Sequence, residues 1–376
     1  MTIKHLFPVV KPTLNLDFAN QLALDPRITF TRSSTGTYVD KNGIIRTAAE
    51  DEPRFDYDPE TGKSLGLLME ESRTNEFPYS EDFSTSSWNN VNTTVTTNAA
   101  IAPDGTSTAN RLQIGDTDGG IYDNTVGAVA SNSTISMWVK SVNPDIDDVF
   151  RLTCAGDFSG DLTATNEWVR YTFTSSTTTS SLHGIIRPAD NTATDIYVWG
   201  AQFEEEKTFP TSYIPTAGTT EARAADVASI TGTNFSSWYN QSEGTMFAQA
   251  KISWPLSTNT FPATYTSGSF PNRLWILYVN GGVNRLTVGA DTHNGVLETF
   301  STSPQSFKVA QALSNSNLSY SASKDGNAVL TGALSKAITD ITSIALGSGP
   351  GGIHHISRLA YYPRRLSDEQ LQALTA

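Results

Sequence analysis

The sequence predicts an all-β protein of more than one domain, and three observations carry that expectation. Apolar and polar side chains alternate with period two in short stretches, as in Ser133 to Lys140 (STISMWVK), where Ile135, Met137 and Val139 alternate with Thr134, Ser136 and Trp138. Aromatic residues make up 10% of the chain and charged residues only 17%, a balance suited to pleated, half-buried surfaces rather than to solvated helices. At 376 residues the chain exceeds what one hydrophobic core organises, so two or three domains are expected.

Residues 1–80 are irregular in pattern, with short apolar runs, prolines and turn signals such as Asp40-Lys41-Asn42-Gly43. They are expected to form an extended N-terminal adaptor without a core of its own. Within them, Pro53 to Asn75 is dense in charge, and Asp58-Pro59-Glu60-Thr61-Gly62 reads as a tight turn. Arg54, Arg73, Glu70 and Glu71 are there to pair with one another or to clamp the next domain.

Residues 81–215 carry short strands separated by Ser, Thr, Asn and Gly clusters. Glu167 to Phe173 and Asp195 to Phe203 repeat the alternation of Ser133 to Lys140. Trp138, Trp168 and Trp199 lie inside these strands and read as core residues. Residues 216–228 are small and polar and are expected to link to a further domain over 229–376. That domain shows strands at Thr245 to Ile252, Leu274 to Val279 and Arg285 to Val288. The last two are joined across Asn280-Gly281-Gly282, a hairpin signal because both turn positions tolerate positive φ. Asp325-Gly326 marks another turn. The clear helix is terminal: Ser367-Asp368-Glu369-Gln370 is a capping box, with Leu366 and Leu371 as its hydrophobic staple.

The net charge of −13 is spread along the chain and repels phosphate backbones, so nucleic acid is not an expected partner. No stretch of 18 apolar residues occurs, and MTIKHLFPVVKP lacks the features of a signal peptide, so neither membrane insertion nor Sec export is expected. Cys154, the single cysteine, has no intrachain partner and reads as a small buried filler.

Three stretches of the chain resemble known families. The run from Asp17 through RITFTRSST, PRFDYDPETGKSLGLLMEESRTN and YSEDFSTSSW resembles a leader found in bacteriophage and prophage tail or fibre proteins. WNNVNTTVTTNAAIAPDGTSTANRL, NEWVRYTF and YVWGAQFEEEKTFPTSYIPT resemble the carbohydrate-binding jelly-roll module that follows such a leader. ITSIALGSGPGGIHHISRLAYYPRRLSDEQLQAL is similar to the last strands and closing helix of concanavalin A-like (laminin G-like) domains. The resemblance implies two tandem β-sandwiches, a jelly roll and then a concanavalin A-like one, after the adaptor and before a short C-terminal helix. It also implies a virion appendage, a tail fibre or adhesin assembled as a homotrimer. Other virion proteins would hold the adaptor, and host surface polysaccharide would meet the sandwiches outside the cell. A structural connector that binds virion proteins and no sugar is the alternative, and a polysaccharide depolymerase a second one.

Concanavalin-like glucanases place catalytic carboxylates as E-x-D-x-x-E, and no such string occurs between Asp226 and Ala376. Glu204-Glu205-Glu206 points to opposite sides of a strand. No G-x-S-x-G elbow frames any histidine, so no enzyme activity is expected. In His354-His355 one ring is expected to face solvent and the other to pack. Sugar recognition stacks a pyranose on an exposed ring beside polar anchors. Trp88, Trp238, Tyr239 and Trp254 lie near turns or domain edges and are the candidate platforms. No cofactor is required; Asp116 and Asp118, in an oxygen-rich Asp-Thr-Asp-Gly-Gly loop, are candidate ligands for a structural Ca2+, and Asp145, Asp147 and Asp148 form a second acidic turn.

Overall fold

The structure, a computed structural model, describes residues 10–376 except 124, 130–131, 144, 147, 178–180, 253–259, 267–272, 281–283, 291–292, 301–304 and 349–352. For 260–262, 273–280, 284–290, 293–300, 305, 348 and 353 it describes the backbone alone.

The chain is almost entirely strand. The leader holds β1 (Leu14–Asp17), β2 (Thr29–Thr31), β3 (Gly36–Val39), β4 (Ile45–Ala48), β5 (Phe55–Tyr57), β6 (Ser64–Glu70) and β7 (Arg73–Asn75). Then come β8 (Trp88–Val91), β9 (Thr93–Ala100), β10 (Ala109–Ile114), β11 (Gly120–Asp123), β12 (Ser133–Ser141), β13 (Val149–Cys154), β14 (Asp157–Phe158), β15 (Leu162–Thr163), β16 (Val169–Ser175), β17 (Gly184–Ile186) and β18 (Thr194–Glu204). β19 (Glu221–Arg223) and β20 (Val227–Thr231) lead to α1 (Gly232–Ser236), β21 (Glu243–Ile252), β22 (Thr260–Thr266), β23 (Arg273–Asn280), β24 (Asn284–Ala290) and β25 (His293–Phe300). β26 (Gln305–Ser314), β27 (Ser319–Lys324), β28 (Leu330–Ala333), β29 (Ser343–Ser348), β30 (Ile353–Tyr362) and α2 (Asp368–Thr375) complete the order.

Two antiparallel sheets form the first sandwich, β16-β12-β18-β10-β9 over β14-β13-β17-β11-β8. Period-two alternation sends Leu112, Ile114, Ile135, Met137, Val139, Ile196 and Val198 inward from the first sheet, onto Ile121, Phe150, Leu152 and Ile185 of the second. Cys154 is fully buried there, and burial pushes its thiol pKa up to about 12, so it fills space as expected. The second sandwich packs β28-β27-β26-β21-β30-β6-β5 against β2-β20-β29-β22-β23-β24-β25. β23 and β24 pair antiparallel with Asn280 opposite Asn284, the hairpin expected from Asn280-Gly281-Gly282, whose turn residues 281–283 lie outside the described set. The capping box of α2 is formed in both directions, and Leu366 and Leu371 are buried beneath it.

Residues 10–80 have no core of their own, and the structure shows where their apolar side chains go. β1 and β6 both pair with β30, Leu14 opposite Tyr361 and Leu67 opposite Ile356, while β2 pairs with β20 in the opposing sheet. Leu14, Leu16, Leu67, Leu68 and Met69 thereby enter the core of the second sandwich. Gly66 permits this: at φ +94° a Cβ would meet the Ile356 carbonyl oxygen at 2.3 Å. The stretch 216–228 was expected to be a linker. It instead carries β19, paired with β7, and the start of β20, and it buries Arg223 and Asp226. Small residues suit a crowded crossing as well as a flexible tether, so composition did not separate the two.

A buried ionic cluster joins the parts. Arg54 donates to Glu70 at 2.6 Å, to Asp226 at 2.5 Å and to Ser212 Oγ at 2.8 Å. Arg32 reaches Asp226 at 3.1 Å, Arg223 reaches Glu70 at 3.4 Å, and Arg73 reaches Glu71 at 2.5 Å and Glu204 at 3.7 Å. Burial works to raise the Glu70 pKa, but the Arg223 and Arg54 guanidiniums and Ser212 outweigh it and hold the carboxyl well below the usual range. The leader, the first sandwich and the crossing segment 216–228 each supply members, so the charged run 53–75 both pairs internally and clamps its neighbours.

Both His354 and His355 are buried, at 3% and 4% exposure, which corrects the expectation that one faces solvent. Alternation sends the two rings to opposite faces, and His354 lies against Gly347 of the opposing sheet, where an added Cβ would come within 2.4 Å of its Nε2. His355 Nε2 lies 2.8 Å from Asp56 on neighbouring β5.

Candidate functional site: the outer face of the five-stranded sheet

The residues that alternate against the core of the first sandwich form its outer face. Register places Lys140 of β12 opposite Tyr197 of β18, Tyr197 opposite Arg111 of β10, and Arg111 opposite Thr96 of β9. In the adjacent row Asp195 stands opposite Gln113, and Gln113 opposite Thr94. Side chains directly opposite one another on antiparallel strands are contact neighbours. Arg111 grips Asp195 with two parallel hydrogen bonds, Nε to Oδ1 at 2.8 Å and Nη2 to Oδ2 at 2.5 Å, which raises the guanidinium pKa. Lys140 and Tyr197 are partly exposed beside this pair.

One end of the face is walled. Trp138 meets Trp199 at 5.4 Å and Tyr213 at 5.6 Å between ring centroids, and the Arg170 guanidinium lies 4.5 Å from its ring centre. Burial lowers the Arg170 pKa to about 10. Trp168 Nε1 donates to the Ile101 carbonyl at 2.9 Å, which pins the 100–105 loop over this end, and Ile45 of the leader joins Ala102, Ala109, Trp199 and Tyr213 in one buried cluster. Gly200 makes the arrangement fit: at φ +66° it takes the bulge that restores alternation between Trp199 and Gln202, and a Cβ there would meet the Trp138 ring at 2.8 Å. The result is a shelf with an aromatic ring, a lysine, a fixed arginine–carboxylate pair and an amide in reach of one another. Such a surface can stack a flat apolar ligand face on Tyr197 and hydrogen-bond its edge.

The sequence-predicted platforms do not lie here. Trp88 is 3% exposed, packed at 4.9 Å on both Phe77 and Phe83, with its Nε1 donating to the Tyr79 carbonyl at 3.0 Å. Trp238 is 5% exposed, against Phe235 at 4.8 Å and Tyr361 at 5.2 Å. Tyr239 is stacked on Phe235 at 4.8 Å and on Tyr361 at 5.0 Å, and burial pushes its phenol well up. None of the three offers an open stacking face, because turn position brings a ring to a sandwich seam, where the core takes it. Trp254 lies outside the described residues. Trp199 is core-like at 1% exposure, whereas Trp138 and Trp168 remain partly exposed on the outer face. The signal for that was present in STISMWVK, whose alternation already puts Trp138 opposite Ile135, Met137 and Val139.

Asp116 and Asp118 are exposed, and Asp118 faces Arg187 at 3.2 Å, a cation where a Ca2+ ligand set needs further oxygens. Asp148 is buried and accepts from Ser141 Oγ at 2.6 Å, Asp145 is exposed, and Asp147 is outside the described residues. Among the described residues no group of three His, Cys, Asp or Glu side chains is placed to hold a metal. Glu204 is buried and accepts from Thr211, while Glu205 and Glu206 are exposed, as opposite sides of the strand end require.

No family model and no curated protein matches the chain. Solved structures similar to part of it include the Ruminococcus gnavus IT-sialidase CBM40, at 18% identity and TM-score 0.32, covering 38% of this chain and 88% of that one. Domain 4 of AbnA, a GH43 extracellular arabinanase from Geobacillus stearothermophilus, in complex with arabinotriose, matches at 18% identity and TM-score 0.30, covering 46% and 84%. The binding domain of Botulinum neurotoxin DC in complex with rat synaptotagmin II matches at 12% identity and TM-score 0.30, covering 40% and 39%. Likeness at this level assigns neither ligand nor role.

Proposed function

We propose that the chain is a non-enzymatic glycan-binding protein, an adhesin of a bacteriophage virion appendage, that holds host surface polysaccharide on the outer face of its first sandwich. The observation that carries this is the cross-strand row Lys140–Tyr197–Arg111 with Asp195 and Gln113 beside it. A ring flanked by donors and acceptors is what a pyranose needs. Within that group Asp195 is the one carboxylate and is already committed to Arg111, whereas glycoside hydrolysis uses a pair. The phage context and attachment through the leader rest on the resemblance of residues 17–88.

The connector reading is favoured by one finding: Trp88, Trp238 and Tyr239, the loop aromatics an adhesin would present, are spent inside this chain. Binding to host cells and to a panel of their surface polysaccharides, with released sugar assayed in the same tubes, separates the cases. The expected outcome is saturable binding without release, weakened about tenfold or more by Tyr197→Ala, the loss of one stacking ring. Release of sugar would make the protein a depolymerase, and no binding at all would leave the connector.

A further inference from the structure

A second concave site lies where the leader, the opening of the first sandwich and the crossing segment meet. It is a cavity of about 650 Å³, within the size range of small-ligand sites. Ser34, Thr35 and Thr37 form one wall, Tyr79, Glu81 and Asp82 another, and Tyr213 to Ala217 with Glu221 to Arg223 the third. It shares none of the residues Lys140, Tyr197, Arg111 and Asp195. Three chain segments far apart in sequence build it, so it exists only in the assembled fold.

The lining is rich in acceptors and poor in free cations. Glu81, Asp82 and Glu221 make no ion pair among the described residues, and the one cation in the wall, Arg223, is already turned to Glu70 and to the Glu71 carbonyl. The Glu81 carboxylate is held in place: the Tyr213 hydroxyl donates to Oε1 at 2.8 Å and lies 2.7 Å from Ser80 Oγ. Burial raises the Glu81 pKa, as a carboxylate without a cation must. Independently of the acids, Thr216 is only 5% exposed, lines the same cavity, and leaves its Oγ1 without a hydrogen-bond partner. A buried hydroxyl in that condition carries a desolvation cost that a bound group would offset. Tyr79, half-buried in the wall, adds an apolar surface.

We propose that this cavity is a binding site for an amino sugar: a saccharide unit whose free primary ammonium pairs with Glu81 and Asp82 while its ring hydroxyls meet Thr216 and the Ser34–Thr35 edge. Charge selects the ammonium, since a neutral ligand leaves the carboxylates uncompensated.

The test is calorimetric titration of the full chain with glucosamine oligosaccharides and with their N-acetylated counterparts. The amines are expected to bind at least about tenfold tighter than the acetylated forms, and Glu81→Gln to remove that preference. The preference for amine over acetylated probe reports the cavity, whereas Tyr197→Ala reports the sheet face in the polysaccharide panel, so the cavity and the sheet-face reading stand or fall separately. Glu221→Gln, at an exposed position, gives a second and milder variant should Glu81→Gln fail to fold, with about a several-fold loss expected. Equal binding of amine and acetylated probes, no binding of either, or a preference untouched by both variants would overturn the proposal.

Discussion

His354 shows how position converts a titratable ring into an acid-sensitive stability element. Burial, with His355 alongside, lowers its pKa to about 4 from the ordinary 6.5, the charges of Asp226 and Glu70 offsetting only part of this. Between those two values the unfolded chain binds the proton and the folded chain does not. Stability is therefore full above about pH 6.5, falls as pH drops toward 4, and loses about 3 kcal/mol over that window. Urea unfolding at pH 7 and pH 4.5 checks this: wild type is expected to lose clearly more than a His354→Gln variant, and equal losses would place the acid sensitivity elsewhere. The same scale explains the tryptophans. Trp138 and Trp199 sit opposite one another on neighbouring strands of one face, yet Trp199 is buried in a cluster that includes Ile45 of the leader, and Trp138 is buried only in part.

The element scale is governed by β6. It carries Leu67 to Met69 into the second sandwich and presents Glu70 to the ionic cluster at its end. Removing one partner of a buried pair leaves charge behind without compensation, a loss of about 3–5 kcal/mol, more than the pair itself contributes. Glu70→Gln leaves Arg223 without a carboxylate partner and Arg54 with Asp226 alone, and tryptophan fluorescence during urea unfolding is expected to show that loss. The exposed Glu221→Gln should change stability by less than about 0.5 kcal/mol. A small effect of Glu70→Gln would mean that water, rather than Arg54, solvates the site.

For the whole molecule, the decisive feature is that the first strands pair with the last. β30 is flanked by β21 on one side and by β6 and β1 on the other. Deleting residues 1–75 opens its full edge, a row of unpaired backbone groups beside Leu359 and Ile356, and removes Leu14, Leu16 and Leu67 to Met69 from the core. The truncated chain is expected to aggregate or to elute as large species in size-exclusion chromatography. A monodisperse, folded product would show that the second sandwich closes without the leader.

By itself the sequence determined what depends on neighbours a few residues away. Alternation over Ser133 to Lys140 marked β12, Asn280-Gly281-Gly282 marked the β23–β24 pairing, and Ser367 with Gln370 marked the start of α2, because strand faces, turns and caps are set by local backbone sterics and hydrogen bonds. The tertiary structure alone decided which surfaces are covered. Leu14 meets Tyr361 across almost the whole chain, and no local pattern encodes a partner at that separation. Exposure of an aromatic ring is a property of what packs over it, so Trp88 and Trp238 vanished into seams while Tyr197, unremarkable in the sequence, came to stand between Lys140 and Arg111.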